Sequence, residues 1–179
     1  MNFSVVNHNL KEIKDYGTYL WKKPSLPSKK FVIFGRGRSG STLLVNLLDK
    51  HNKIYCDNEI LHDRVLFPRL YIDLCASRHQ SYAYGFKLLS YQIRDIQSIY
   101  NQEKFLFNLH KSGYKFIYLT RSNLLYHALS NINARMKKFH HRLNEGELSN
   151  QPIKVEIKQV FEWIKHSEKL DKYEHDLLK

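Results

Sequence analysis

Phe31-Val32-Ile33-Phe34-Gly35-Arg36-Gly37-Arg38-Ser39-Gly40-Ser41-Thr42-Leu43-Leu44 is the stretch on which the fold turns. An apolar run with Val and Ile at its centre ends in glycine, and from Ser41 onward Leu43, Leu44, Leu47 and Leu48 repeat on one helical face. The spacing predicts a strand, a glycine loop and a helix. Three of the chain's seven glycines lie within six residues here. Glycine lets backbone approach an anion closely, and the first turn of the helix offers unpaired N–H groups and the positive end of its dipole.

Two loop types share this pattern. Gly35-x-Gly37-x-x-Gly40 after a strand is the dinucleotide-binding form, and Asp57 follows a second strand at about the expected distance. Gly35-x-x-x-x-Gly40 followed by Ser-Thr is a Walker loop in which Ser41 stands where the lysine belongs. The side chains favour a phosphate clamp. A dinucleotide loop holds its pyrophosphate by backbone, whereas here Arg38 sits inside the loop with Ser39, Ser41 and Thr42 as hydroxyl donors.

Outward from the loop, further strands are expected at 54–56, 84–88 and 115–120. Helices are expected at 61–77, despite Pro68, at 93–111 with Gly113 as its stop, at 123–138, and from Pro152 to the end with Ile153, Ile157, Val160, Phe161, Ile164 and Leu170 along one side. Residues 1–30 read as a short N-terminal helix or arm and a proline-containing linker, and 31–179 as one domain. Strands alternating with helices imply an α/β fold with a parallel sheet, whose ligands lie beyond the carboxyl ends of the strands. With 179 residues, a chain buries roughly 70% of its unfolded surface, so the core needs neither disulfide nor structural metal. Cys56 and Cys75 lie in no CxxC or Cys/His cluster, which argues against a metal site and for a reducing compartment. Met1-Asn2-Phe3-Ser4 lacks the order of a secretory signal, and no apolar run reaches the ~18 residues that span a bilayer, so a cytoplasmic location without a transmembrane segment is expected.

The net charge of +12 is unevenly placed. Lys22, Lys23, Lys29, Lys30, Arg36 and Arg38 crowd the approach to the loop with no acid among them, and residues 104–144 are likewise basic without an acid. An anionic ligand is expected in the middle of the chain, though a solvated basic face accounts for the total equally well. A second strand-to-helix junction repeats the chemistry of the first. Thr120-Arg121 ends the fourth strand and Ser130 lies on the helix that follows, a pair suited to a second phosphate. Two such grips on neighbouring strand ends suit a nucleotide phosphorylated at both ends of its ribose.

With both junctions in view, the chain resembles the sulfotransferases that use 3′-phosphoadenosine 5′-phosphosulfate (PAPS), in particular their bacterial and carbohydrate-type branch. Arg38-Ser39-Gly40-Ser41-Thr42-Leu43-Leu44 is similar to that family's 5′-phosphosulfate loop. Leu119 to Ser130 is similar to its 3′-phosphate segment, with Ser122-Asn123 where many members have Asp-Pro or a second arginine. Asn58-Glu59-Ile60-Leu61 and Gly85-Phe86-Lys87-Leu88 match segments typical of the branch, so the likeness runs from Phe31 to Arg135. It implies a P-loop-like three-layer fold, with a parallel central sheet flanked by helices, in a chain short for the family.

The resemblance also implies a reaction and its residues. A sulfuryl group would pass in line from PAPS to a hydroxyl or amine of a carbohydrate, glycolipid or small-molecule acceptor, with no metal. Arg38 is the expected transition-state cation and Glu59 the expected base, with His62 a rival base or acceptor ligand, Asp57 a further rival base and His51 a weaker one. Ser39, Gly40, Ser41, Thr42, Arg121 and Ser130 are expected to bind the nucleotide, and Lys87 the sulfuryl oxygens or an anionic acceptor. The basic run from Arg135 to Arg142 suits an anionic acceptor but reads more simply as a solvated helix end. The rivals are a P-loop nucleotide kinase, disfavoured by Ser41 in place of lysine, an NAD(P)-binding Rossmann enzyme, disfavoured by Arg38, and a non-catalytic basic module binding polyanions. Because the key cations fall at strand ends, no nucleic-acid partner is expected.

Overall fold

The computed structural model describes residues 3–136 and 154–179, with side chains from 9 to 135 and from 154 onward. Two compact units emerge, Met1–Leu119 and Thr120–Leu177. The first holds α1 (Phe3–Lys22), β1 (Lys29–Gly35), α2 (Ser41–Asp49), β2 (Ile54–Asp57), α3 (Pro68–Ser77), β3 (Ala83–Leu89), α4 (Gln102–Lys111) and β4 (Tyr114–Leu119). The four strands form one sheet in the order β2-β3-β1-β4, every pair parallel, with helices on its flanks: a three-layer α/β fold, as the alternation of strands and helices predicts. β1 lies between β3 and β4. The sheet therefore has neither the 3-2-1-4 order of dinucleotide-binding domains nor the flavodoxin-like 2-1-3 order.

Alternation along β1 builds the layers. Ile33 packs with Val45 of α2 and Cys56 of β2 in a cluster joined by Leu44, Leu48 and Leu119. Its neighbour Phe34 meets Phe116 and Tyr118 at ring distances of 6.3 Å. Every residue of β3 is buried, as expected of a strand covered on both faces. Gly85 is required there. Its register partner Phe31 lays its ring across the glycine, and a Cβ would come within 2.1 Å of that ring. Gly85→Ala is expected to destabilise the fold by about 1–3 kcal/mol through overpacking, read as a lower midpoint in denaturant at unchanged m-value.

Several boundaries differ from the sequence reading. Of the short helix or arm expected at the N-terminus, the structure shows the helix, longer than expected at 20 residues. The helix expected from residue 61 begins at Pro68, which occupies the first turn where its missing N–H costs nothing, and residues 58–67 are loop. The helix expected from 93 to 111 is two elements. A π-helical turn, Gln92–Ile96, closes with Gln97 N–H donating to the Gln92 carbonyl at 2.8 Å, and α4 starts afresh where Asn101 Oδ1 caps Lys104 N–H at 2.8 Å. Gly113 does end α4, with φ 91°.

The second unit pairs α5 (Leu124–Met136) with α6 (Ile157–Leu177). Asn123 caps α5, its Oδ1 accepting from Tyr126 N–H at 2.9 Å. The apolar stripe expected on the last helix is not its buried face throughout. Ile157 and Phe161 are exposed, whereas Ser167 and Glu174 are fully buried, and Ser167 Oγ lies 2.9 Å from His127 Nδ1. Pro152 and Ile153 lie outside the described residues, as do the basic residues from Lys137 to Arg142. Arg135 stands over the Trp163 ring at 5.0 Å.

Candidate functional site

At its carboxyl end β1 passes into the loop Arg36–Gly40 and then α2. Gly35 leaves the strand with φ 152°, and a Cβ there would meet the Leu119 carbonyl oxygen at 2.3 Å. Arg38 and Gly40 both hold left-handed φ, 63° and 92°. A non-glycine residue in that region is held by its surroundings, and such strain gathers at functional positions. Ser39 Oγ donates to the Arg36 carbonyl at 2.8 Å, so this hydroxyl braces the loop from within. Arg36, which the sequence reading did not single out, is buried, while Arg38 is exposed. Gly40 is the N-cap of α2, Ser41 at its first position is buried, and Thr42 is exposed.

A lysine of the neighbouring strand β3 reaches the first turn of α2. Lys87, on β3 opposite Ile33, is 3% exposed and points its Nζ at Thr42 Oγ1, 3.1 Å away, and at Glu59 Oε1, 2.7 Å away. Glu59 lies just past β2. Its other oxygen, Oε2, accepts from Gln92 Nε2 at 2.9 Å and from Tyr91 OH at 3.4 Å. Gln92 is itself fully buried and fixed, its Oε1 accepting from Leu89 N–H at 2.9 Å. Carboxyl ends of β1, β2 and β3 thus bring Thr42, Glu59 and Lys87 together, as the parallel sheet requires of its ligand edge. Breaking a buried pair of this kind by removing one partner costs on the order of 3–5 kcal/mol, so the ammonium and carboxylate hold one another in place.

The loop after Glu59 is ordered by a second glutamine. Gln97 Nε2 donates to the Leu61 carbonyl at 3.1 Å and the Asp63 carbonyl at 2.6 Å, and its Oε1 accepts from Val65 N–H at 3.2 Å. Gln92 and Gln97 are five residues apart, and the i to i+5 closure of the π-helical turn brings both onto the side that faces this loop. Neither was legible as a site residue, because a π turn leaves no mark in apolar periodicity.

His62 is exposed. Its Nδ1 donates to the Glu59 carbonyl at 2.6 Å, and its Nε2 lies 3.0 Å from Asp63 Oδ2. Asp57 accepts from the buried Tyr84 hydroxyl at 2.8 Å, and burial beside that carboxylate pushes the phenol's pKa up. Cys56 and Cys75 are free and buried, their thiols pushed up to about 12 and about 11 by desolvation first of all. Arg121 and Ser130 belong to the second unit, Arg121 two residues ahead of the Asn123 cap and Ser130 on α5, both partly exposed. Ser122-Asn123, where the chain departs from the family pattern it resembles, immediately precedes α5, with Asn123 as its cap.

No protein-family model, curated protein or solved structure matches the chain.

Proposed function

We propose that the chain is a PAPS-dependent sulfotransferase that binds the donor's phosphosulfate end at the Arg36–Thr42 loop. The observation that carries this reading is the buried Lys87 ammonium, set between the first turn of α2 and the carboxylate of Glu59. The chain's own groups fit the anionic end of such a donor. Residues 39–42 offer backbone N–H groups at a helix start, Arg38 adds an exposed guanidinium, and Lys87 has three N–H donors of which its two contacts use two.

Bound PAPS would supply an activated sulfuryl group with a phosphate leaving group. Arg38 and the loop amides would answer the negative charge that grows on the leaving side. Glu59 would take the proton of the acceptor hydroxyl or amine, with Gln92 and Tyr91 holding the carboxylate by Oε2 and Lys87 by Oε1. Because Lys87 ties up that carboxylate, this role requires the ammonium to be shared with another oxygen at the moment of transfer. Arg121 and Ser130 are assigned to the 3′-phosphate on the strength of their motif. The acceptor class is a carbohydrate, glycolipid or small molecule, and the two free buried thiols support a reducing, cytoplasmic setting.

A thermal-shift panel with 3′-phosphoadenosine 5′-phosphate (PAP), ATP, NAD and a short oligonucleotide tests the reading. PAP at 100 times its Kd is expected to stabilise the fold by about 2.7 kcal/mol, a rise of several degrees in Tm and the largest of the four. A larger rise with ATP, NAD or the oligonucleotide would overturn it. In the same panel Arg121→Ala should narrow the preference for PAP over AMP, since it removes a charge-assisted contact made only with the 3′-phosphate. Equal losses for the two nucleotides would remove Arg121 from the site.

A further inference from the structure

The helix α1 divides its residues unequally between two faces. Inward, Glu12 is 6% and Tyr16 4% exposed; the Tyr16 hydroxyl and Leu66 N–H both donate to Glu12 Oε2, at 3.1 and 3.0 Å, and the Tyr16 ring meets Phe67 edge-on at 5.6 Å. Asp15 is engaged by Arg78 at 3.3 Å. Both acids between Asn9 and Lys22 are thereby spent on the protein's own groups. Outward, Leu10, Ile13, Leu20 and Trp21 are 60%, 54%, 56% and 82% exposed. At 3.6 residues per turn these four share an arc of about 100° with Gly17 among them, a stripe whose length is roughly 16 Å. Lys11, Lys14, Lys22 and Lys23 are all exposed around it.

We propose that α1 is an interfacial helix that lies on the surface of an anionic lipid bilayer, its Leu10–Trp21 stripe entering the boundary between headgroups and acyl chains. Charge selects this occupant. A helix with an apolar stripe, lysines at its border and its acids turned away has the character of a surface-lying helix, and a terminal tryptophan suits headgroup depth. A second copy of the chain seated on the same stripe would set lysine against lysine on a protein whose net charge is already +12. The helix lies on the membrane and does not cross it: no helix among the described residues is long and apolar enough to do so. The inference is independent of the chemistry proposed for the glycine loop.

The test uses the full chain carrying Trp163→Phe, so that Trp21 is its only tryptophan. Its emission and co-flotation are followed with vesicles of phosphatidylcholine and of phosphatidylcholine with phosphatidylglycerol. Binding to the anionic vesicles with a blue shift of Trp21 is expected. Ile13→Ser with Leu20→Ser should weaken that binding tenfold or more and cancel the shift without lowering Tm, since both side chains are exposed. Lys11→Ala and Lys14→Ala should each weaken it roughly fivefold at low salt. Equal binding to neutral vesicles would overturn the proposal. So would anionic binding with Trp21 emission unmoved, which is adsorption through basic residues elsewhere, and so would a blue shift that follows protein concentration without vesicles, which assigns the stripe to a second copy.

Discussion

Glu59→Gln is expected to slow sulfuryl transfer by roughly 10² to 10⁴ while leaving PAP affinity nearly unchanged, because a general base touches the acceptor and not the nucleotide. Its surroundings add a second expectation. Glu59 accepts on both oxygens, from Lys87 on one side and from Gln92 and Tyr91 on the other. A glutamine has one acceptor oxygen, so its amide must face a donor, and Gln92 cannot turn over without abandoning Leu89 N–H. The variant, which also leaves the buried Lys87 ammonium without its carboxylate, should therefore lose about 3–5 kcal/mol of stability as well as its rate, and rates are to be compared well below its Tm. Comparison at equal folded fraction separates the two effects: a purely structural role for Glu59 predicts that the folded variant keeps its rate, whereas a base predicts that the rate per folded molecule is lost. Full activity of folded Glu59→Gln would take the base away from Glu59.

Arg38→Ala is expected to lower kcat by on the order of 10² or more with little change in Tm. The side chain is exposed, so its removal leaves no cavity, and alanine inherits the same left-handed φ of 63° that arginine already bears. PAP binding should fall less than turnover, because the guanidinium is asked to act on charge that appears during transfer. Arg38→Lys should recover part of the rate and not all, since an ammonium lacks the fork that holds two oxygens at once. A kcat within a few-fold of the parent would move the cation's role to Lys87 or to Arg36.

The parts of this arrangement legible in the sequence are those encoded locally. The apolar run into Gly35 and the glycine at 113 each carry a strand end or a helix stop within a few residues and stand where they were read, and the leucines after Ser41 do form a helix, although Leu44 and Leu48 pack inward while Leu43 and Leu47 are exposed. Pro68 was equally legible as a helix start, but the apolar residues before it, Leu61 and Val65, imitate helical spacing while being buried for another reason, as parts of a loop. The pairing of Glu59 with Lys87 joins residues far apart in the chain and depends on the register of β2 against β3, which no local pattern reports. Lys87 was visible as a strand-end cation; that it reaches Thr42 at the start of α2 follows only from the strand order, which sets β3 beside β1. The two glutamines that fix the Glu59 loop were invisible, since an amide five residues from another has no meaning until the turn between them is known to be π-helical.

The grip of Gln97 on the loop is made entirely to backbone: the carbonyls of Leu61 and Asp63 and the N–H of Val65. His62, Asp63 and Arg64 contribute no side chain to that clasp, and all three are exposed. The His62 imidazole adds its own tie, to the Glu59 carbonyl, so residue 62 is coupled to the backbone at Glu59 while Asp63 and Arg64 leave the clasp of Gln97 untouched. Side chains at 63 and 64 can therefore change at the rim of this loop while the path of the chain and the position of the carboxylate stay as they are.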